Sequence, residues 1–164
     1  MSEPVLTAQE VLKWNETTSD LWRKFLSENP AILALTCDIA STTTVAQLLQ
    51  HIVAVELRYA ERIAHIPETP YDQVYYDSVD TIYATHDRAI EILKRALTAN
   101  HDWSETIEFQ TRSYGTIRTT LKTIYFHALM HSIRHYAQLG TLVRQHGYKP
   151  TWLGDYLMMG VQRT

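Results

Sequence analysis

Several common architectures are excluded by what this chain has little of. Cysteine occurs once, at Cys37, so no internal disulfide can form and no cysteine-rich metal knot is available. A reducing, cytoplasmic compartment is the expectation. Fifteen Lys and Arg stand against eighteen Asp and Glu, a net charge of -3, which leaves no broad basic field for phosphate backbones. Nucleic acid is therefore not an expected partner. No apolar stretch approaches the roughly 18 uninterrupted residues that cross a bilayer. The opening MSEPVLTAQEVLKW carries acids where a secretory signal needs basic residues followed by an apolar run. Neither a membrane span nor export by that route is expected. A Gly-rich phosphate loop, a GxSxG elbow and an HExxH helix are missing too, which removes nucleotide hydrolases, serine hydrolases and zincin proteases as leading readings.

What is there reads as one soluble, all-α domain over residues 1–164. Hydrophobic residues make up 45% and charged residues 20%, a balance that can bury a core without staples. Glycine and proline number only five each, and apolar residues recur at three- and four-residue steps over long segments. The first helix is predicted over 7–27, with Val11, Asn15, Thr18, Trp22 and Phe25 on one face and Trp14 also turned inward; Asn29-Pro30 ends it. Thr42, Thr43 and Thr44 offer hydroxyl caps for a second helix reaching His65, whose seam is Val45, Leu48, Ile52, Val55 and Tyr59. A third spans 77–99, with the seam Val79, Tyr83, His86, Ile90, Leu93 and Leu97.

Residues 102–115 shorten to an alternation in IEFQTRSYG that fits either a small hairpin or an extended loop. A fourth helix is predicted over 116–146, stopped by Gly147 and Pro150. A short tail helix over 152–159, with Leu153, Tyr156 and Leu157, would lie against the bundle.

The fourth seam carries the chemistry. It runs Leu121, Ile124, Ala128, His131, His135, Gln138, Leu142, and its middle is polar. Polar groups in an apolar interior cost about 1 to 3 kcal/mol each when unpaired, so something must satisfy them. Residues four apart lie one turn above each other, and His131 and His135 can aim one ring nitrogen each at a shared point. His51 is the best third ligand, about 60° from Leu48 by the 3.6-residue period. His65 sits less favourably, at the helix end. His127 falls one position off the seam and reads as a residue behind the ligands or on the surface. Three imidazoles suit zinc, nickel or another late divalent ion and leave one coordination position open.

The competing reading is that these histidines are surface residues or core groups bonded to carbonyls. His86 reads more readily as a hydrogen-bonded core residue than as a ligand. Glu56 and Glu61 read as solvated helix charges, with Glu56 also able to orient a ligand imidazole. Of the ten tyrosines, Tyr75, Tyr76, Tyr83, Tyr125 and Tyr136 could lend hydroxyls to a polar pocket, though mostly they read as core and rim.

TTVAQLLQHIVAVELRYAERI resembles the second helix of the DinB-like family, also described as the DinB/YfiT metalloprotein superfamily, whose histidine before an acidic residue is a metal ligand; this maps to His51, with Glu56 following. FHALMHSIRHYAQLGTLVRQHGYKP resembles its later helix, which ends His-x-x-x-His-Arg-Gly-Gln in many members. His131, His135 and Gln138 fall on that pattern, while Tyr136 and Ala137 replace the usual Arg and Gly. IEFQTRSYG and TWLGDYL resemble the extended segment before that helix and the C-terminal turn. The resemblance implies a four-helix bundle of the DinB/YfiT type with a short extra C-terminal helix, a divalent metal held by His51, His131 and His135, and a homodimer. Relatives include thiol-dependent transferases and maleylpyruvate isomerases, so it fixes no reaction.

Two functions follow as expectations. One is a metal-dependent enzyme, a thiol S-transferase or a hydrolase, with an open three-histidine site, a low-molecular-weight thiol as possible cosubstrate, and Gln138, His127 and His86 as pocket groups. The alternative is a non-catalytic metal-binding or stress-associated bundle, its site closed by a fourth protein ligand such as His86. A metal-free helical dimer, its histidines bonded to one another and to water, is a third possibility.

Overall fold

The structure, a computed structural model, describes residues 3–111, 113–152 and 154–162. Four helices carry it: α1 (Ala8–Glu28), α2 (Val45–Ile63), α3 (Val79–Thr98) and α4 (Leu121–Gln145). Each starts on a hydroxyl cap. Thr7 and Glu10 form a reciprocal capping box on α1, and Thr44, Ser78 and Thr120 accept from backbone N–H groups in the first turns of α2, α3 and α4. Of the threonine run before α2, the last residue is thus the cap. Asn29-Pro30 closes α1 as the sequence indicates. α2 stops two residues short of His65, which turns into the left-handed region at φ +53°.

The alternation around residues 102–115 resolves as a hairpin, β1 (Thr106–Thr111) and β2 (Gly115–Thr120), antiparallel, with Phe109 opposite Ile117. It takes residues 116–120 away from the predicted fourth helix, which begins at Leu121 instead. The reason lies in TIRTT, four β-branched residues in five, whose side chains alternate between solvent and the bundle and suit a pleated ribbon better than a helical turn. Gly115, at φ +69°, supplies the left-handed residue with which β2 begins.

The tail is shorter than a helix. Among the described residues of the tail only Tyr156–Met159 coil, as one 3-10 turn; Leu153 lies outside them. It does lie against the bundle: Trp152 packs edge-on against Trp22 and Phe25, and Tyr156 against half-buried Trp14, whose indole N–H donates to the Gly154 carbonyl at 3.1 Å.

α1 and α2, though consecutive, each pack chiefly on α3 and α4, so they face each other diagonally across the core. Two apolar clusters fill the bundle. One gathers Trp22, Leu48, Leu49, Ile52, Tyr83, Tyr136 and Leu139; the other Val11, Ile63, Leu93, Leu121, Tyr125 and Leu129. Between them, at mid-height on every helix, sits a buried polar layer of Asn15, Glu56, His86 and Ser132. Among the described residues no helix is long and apolar enough to cross a membrane.

Candidate metal centre

α2 and α4 are neighbours, and they bring three imidazoles together. Ring centroids lie 4.8 Å apart for His51 and His131, 5.1 Å for His51 and His135, and 4.4 Å for His131 and His135. Their Nε2 atoms face inward: that of His131 is 3.1 Å from that of His51 and 3.2 Å from that of His135. The pair on α4 meets because residues four apart share a helix face; His51 meets it from the half-buried flank of α2.

These separations match a donor set for one small cation. Bonds of roughly 2.0–2.1 Å at tetrahedral angles put imidazole nitrogens about 3.3 Å apart. Hydrogen bonding alone satisfies the cluster badly, because a neutral ring has a single N–H and the His131 Nε2 faces two nitrogens at once. His131 Nδ1, moreover, is buried with no partner among the described residues. A shared ion gives all three Nε2 lone pairs a use.

The local electrostatics favour the neutral form of His131 and His135, the form that ligates. Burial, then His135, His51, His127 and Arg134, press His131 down to about 2. Burial also lowers His135, aided by Arg134 and opposed by the hydrogen bond to Gln138. That bond fixes the tautomer: His135 Nδ1–H donates to Gln138 Oε1 at 2.7 Å, leaving the Nε2 lone pair turned to the cluster. Gln138 does this from the helix surface, reaching back one turn, rather than from the interior seam position predicted for it.

His127 is exposed, its ring 5.3 Å from that of His131 and 5.2 Å from that of Tyr59, and burial of part of the ring with Arg134 nearby lowers its pKa. His65 is half-exposed beside Glu105, away from the trio. Tyr83 and Tyr136 are core residues whose hydroxyls meet at 3.1 Å, Tyr125 is core as well, and Tyr75 and Tyr76 are exposed.

His86 and Glu56 form a different structure. Glu56, which the sequence places in solvent, is fully buried, and so is Glu61. Glu56 Oε2 lies 2.7 Å from His86 Nδ1, while its Oε1 accepts from Ser132 Oγ at 2.6 Å and Asn15 Nδ2 at 3.0 Å. Asn15 also donates to the Leu129 carbonyl at 3.2 Å. One carboxylate thereby joins all four helices. Glu61 accepts from the Thr69 N–H and hydroxyl and from Arg88, tying the loop after α2 to α3. Both acids are buried because they are paired, which a helical wheel coloured by residue type cannot show; the signal for Glu56 is its place four and eight residues after Ile52 and Leu48 on the inward face.

Among the described residues no fourth His, Cys, Asp or Glu joins the three histidines. Arg134 is the neighbour that the seam reading passes over: its Nη2 sits 3.2 Å from His135 Nε2. In sequence it is one more exposed helix cation. No curated protein matches the chain. The profile of the DinB family matches residues 1–161. With four helices and a histidine trio that could hold a metal ion, the chain belongs to the DinB family.

Proposed function

We propose that this protein is a metal-dependent enzyme of the thiol S-transferase or hydrolase type, with His51, His131 and His135 holding one zinc or nickel ion. The observation that carries the reading is the convergence of three Nε2 atoms, two of their separations being 3.1 and 3.2 Å, on a single point between α2 and α4. A divalent ion there supplies Lewis acidity, activating a water or the thiol of a small cosubstrate near neutral pH. The chain's own residues do the rest. Gln138 holds the His135 ring in its ligating tautomer, and burial keeps His131 unprotonated. Exposed His127 and Gln138 border the trio and offer polar contacts for a cosubstrate.

Engagement of His86 by Glu56 favours the open site over a closed, non-catalytic one, since the ligand best suited to fill a fourth position is committed elsewhere. In this reading the chain acts as a homodimer in the cytoplasm, where buried Cys37 stays a thiol; sedimentation velocity checks the first point.

The test is elemental analysis of protein purified without chelators or affinity-tag metal. The wild type should carry about one equivalent of a late divalent metal, and folded His131→Ala should carry almost none. Thiol transfer to an electrophilic acceptor should be lost with the metal. A metal-free, inactive wild type defeats the proposal.

A further inference from the structure

Arg134 occupies an unusual position for a cation. Its guanidinium has only donors, so at 3.2 Å it donates to the Nε2 lone pair of His135, the same lone pair that the trio turns toward its centre. The tautomer set by Gln138 on the other side of the ring agrees with this. Of the eight arginines among the described residues, five are paired with carboxylates, Arg23 with Asp87, Arg58 and Arg62 with Glu68, Arg88 with Glu61 and Arg95 with Glu91, while Arg118 and Arg144 donate to the Thr106 hydroxyl and the Gly140 carbonyl. Among the described residues Arg134 is paired with no carboxylate, although the chain as a whole is acidic.

An ion at the trio and the Arg134 guanidinium cannot share one lone pair. When the ion takes it, Arg134 gives up that bond and, being on the exposed face of α4, is free to swing a short distance. It then stands beside a divalent cation with its five donors unused. Two cations side by side repel unless an anion lies between them, and a guanidinium fork matches a carboxylate in shape as well as charge.

We propose that Arg134 binds the anionic group of the substrate at the mouth of the histidine trio, so that the substrate class is small carboxylates. This rests on the metal reading above and adds the substrate's charge to it. Arg134 is then a substrate-binding residue in the gap between a surface helix position and the ion, and no motif in the chain announces it.

The test uses Co2+ as the metal and acetate as the anion, read through the visible absorption of the cobalt centre rather than through turnover. Wild-type protein should take up Co2+ and shift its spectrum as acetate is titrated. Arg134→Gln should bind Co2+ at least as tightly, because a neighbouring positive charge is gone, and acetate about tenfold more weakly, the loss of one charge-assisted contact. Arg134→Lys should fall between, keeping the charge and losing the fork. Neutral acetamide should bind wild type and Arg134→Gln alike. Equal acetate affinity in wild type and Arg134→Gln, or no response to acetate in a cobalt-loaded wild type, overturns the Arg134 assignment and leaves the metal site standing. No cobalt spectrum in the wild type overturns both.

Discussion

At Glu56 a carboxylate with no exposed surface accepts from Asn15 and Ser132 and pairs with His86, so three helices are anchored on a side chain of the fourth. Removing it strands those partners in the core. Glu56→Ala is expected to cost about 3–5 kcal/mol, the usual loss when one member of a buried pair is deleted, measured as a fall in the urea midpoint. Ser132→Ala, which leaves the pair intact, should cost only about 1 kcal/mol.

His86 gives the pair a pH signature. Burial pulls its pKa down, but the charge and hydrogen bond of Glu56 outweigh burial and the net direction is upward. A folded pKa above the unfolded value, near 6.5, means that this stabilisation is complete below about pH 6.5 and fades as pH rises through the raised value. His131 and His135, with lowered values, pull the other way. The pair's share is therefore read by difference: urea midpoints of wild type minus His86→Gln, followed from pH 5 to 9, should narrow as pH rises. A constant gap would remove the ionic reading of the pair.

At the scale of the helices, strict three-and-four alternation follows the inward face only for part of its length. It averages 3.5 residues per turn, and a straight helix drifts by about 20° per heptad against it. On α4 the predicted seam is buried from Leu121 to His135 and has drifted to the surface by Gln138, where Tyr136, Leu139 and Val143 take over the core. On α2 the same drift leaves Val55 and Tyr59 half-buried while Glu56 and Ala60 are fully buried. The pair His131 and His135 was legible because it falls where the alternation and the real face still coincide.

Gly140 marks the close approach of α4 to Trp22. A methyl group there would meet Trp22 Cζ2 at 3.7 Å, an ordinary contact, and Arg144 Nη1 at 3.3 Å. The second neighbour is the free end of a flexible side chain and can move. Gly140→Ala is thus expected to stabilise by about 0.5–1 kcal/mol, the gain of Ala over Gly inside a helix, seen as a higher melting temperature. A loss would show that the Arg144 to Gly140 carbonyl bond, 3.1 Å long, holds that side chain in place.

For the whole molecule, placing α1 and α2 diagonally turns the middle of the bundle into a meeting point of four helices and leaves the contact between α2 and α4 to the histidines. A ligand that bridges two helices of the native state alone stabilises by mass action. Zinc at a hundredfold excess over its Kd should add about 2.7 kcal/mol and raise the melting temperature by several degrees. His131→Ala should melt at the same temperature with and without zinc.

The sequence by itself determined the helices, their hydroxyl caps, the proline and glycine stops and the pairing of His131 with His135, because each depends on residues within a few positions of one another. Distance along the chain marks what only the tertiary structure decided. The pairing of Glu56 with His86, the engagement of His51 and the placing of Arg134 against the trio each set a side chain's environment through partners on other elements or beyond the seam. A carboxylate is solvated or buried, and an arginine idle or poised, according to neighbours that local periodicity does not name.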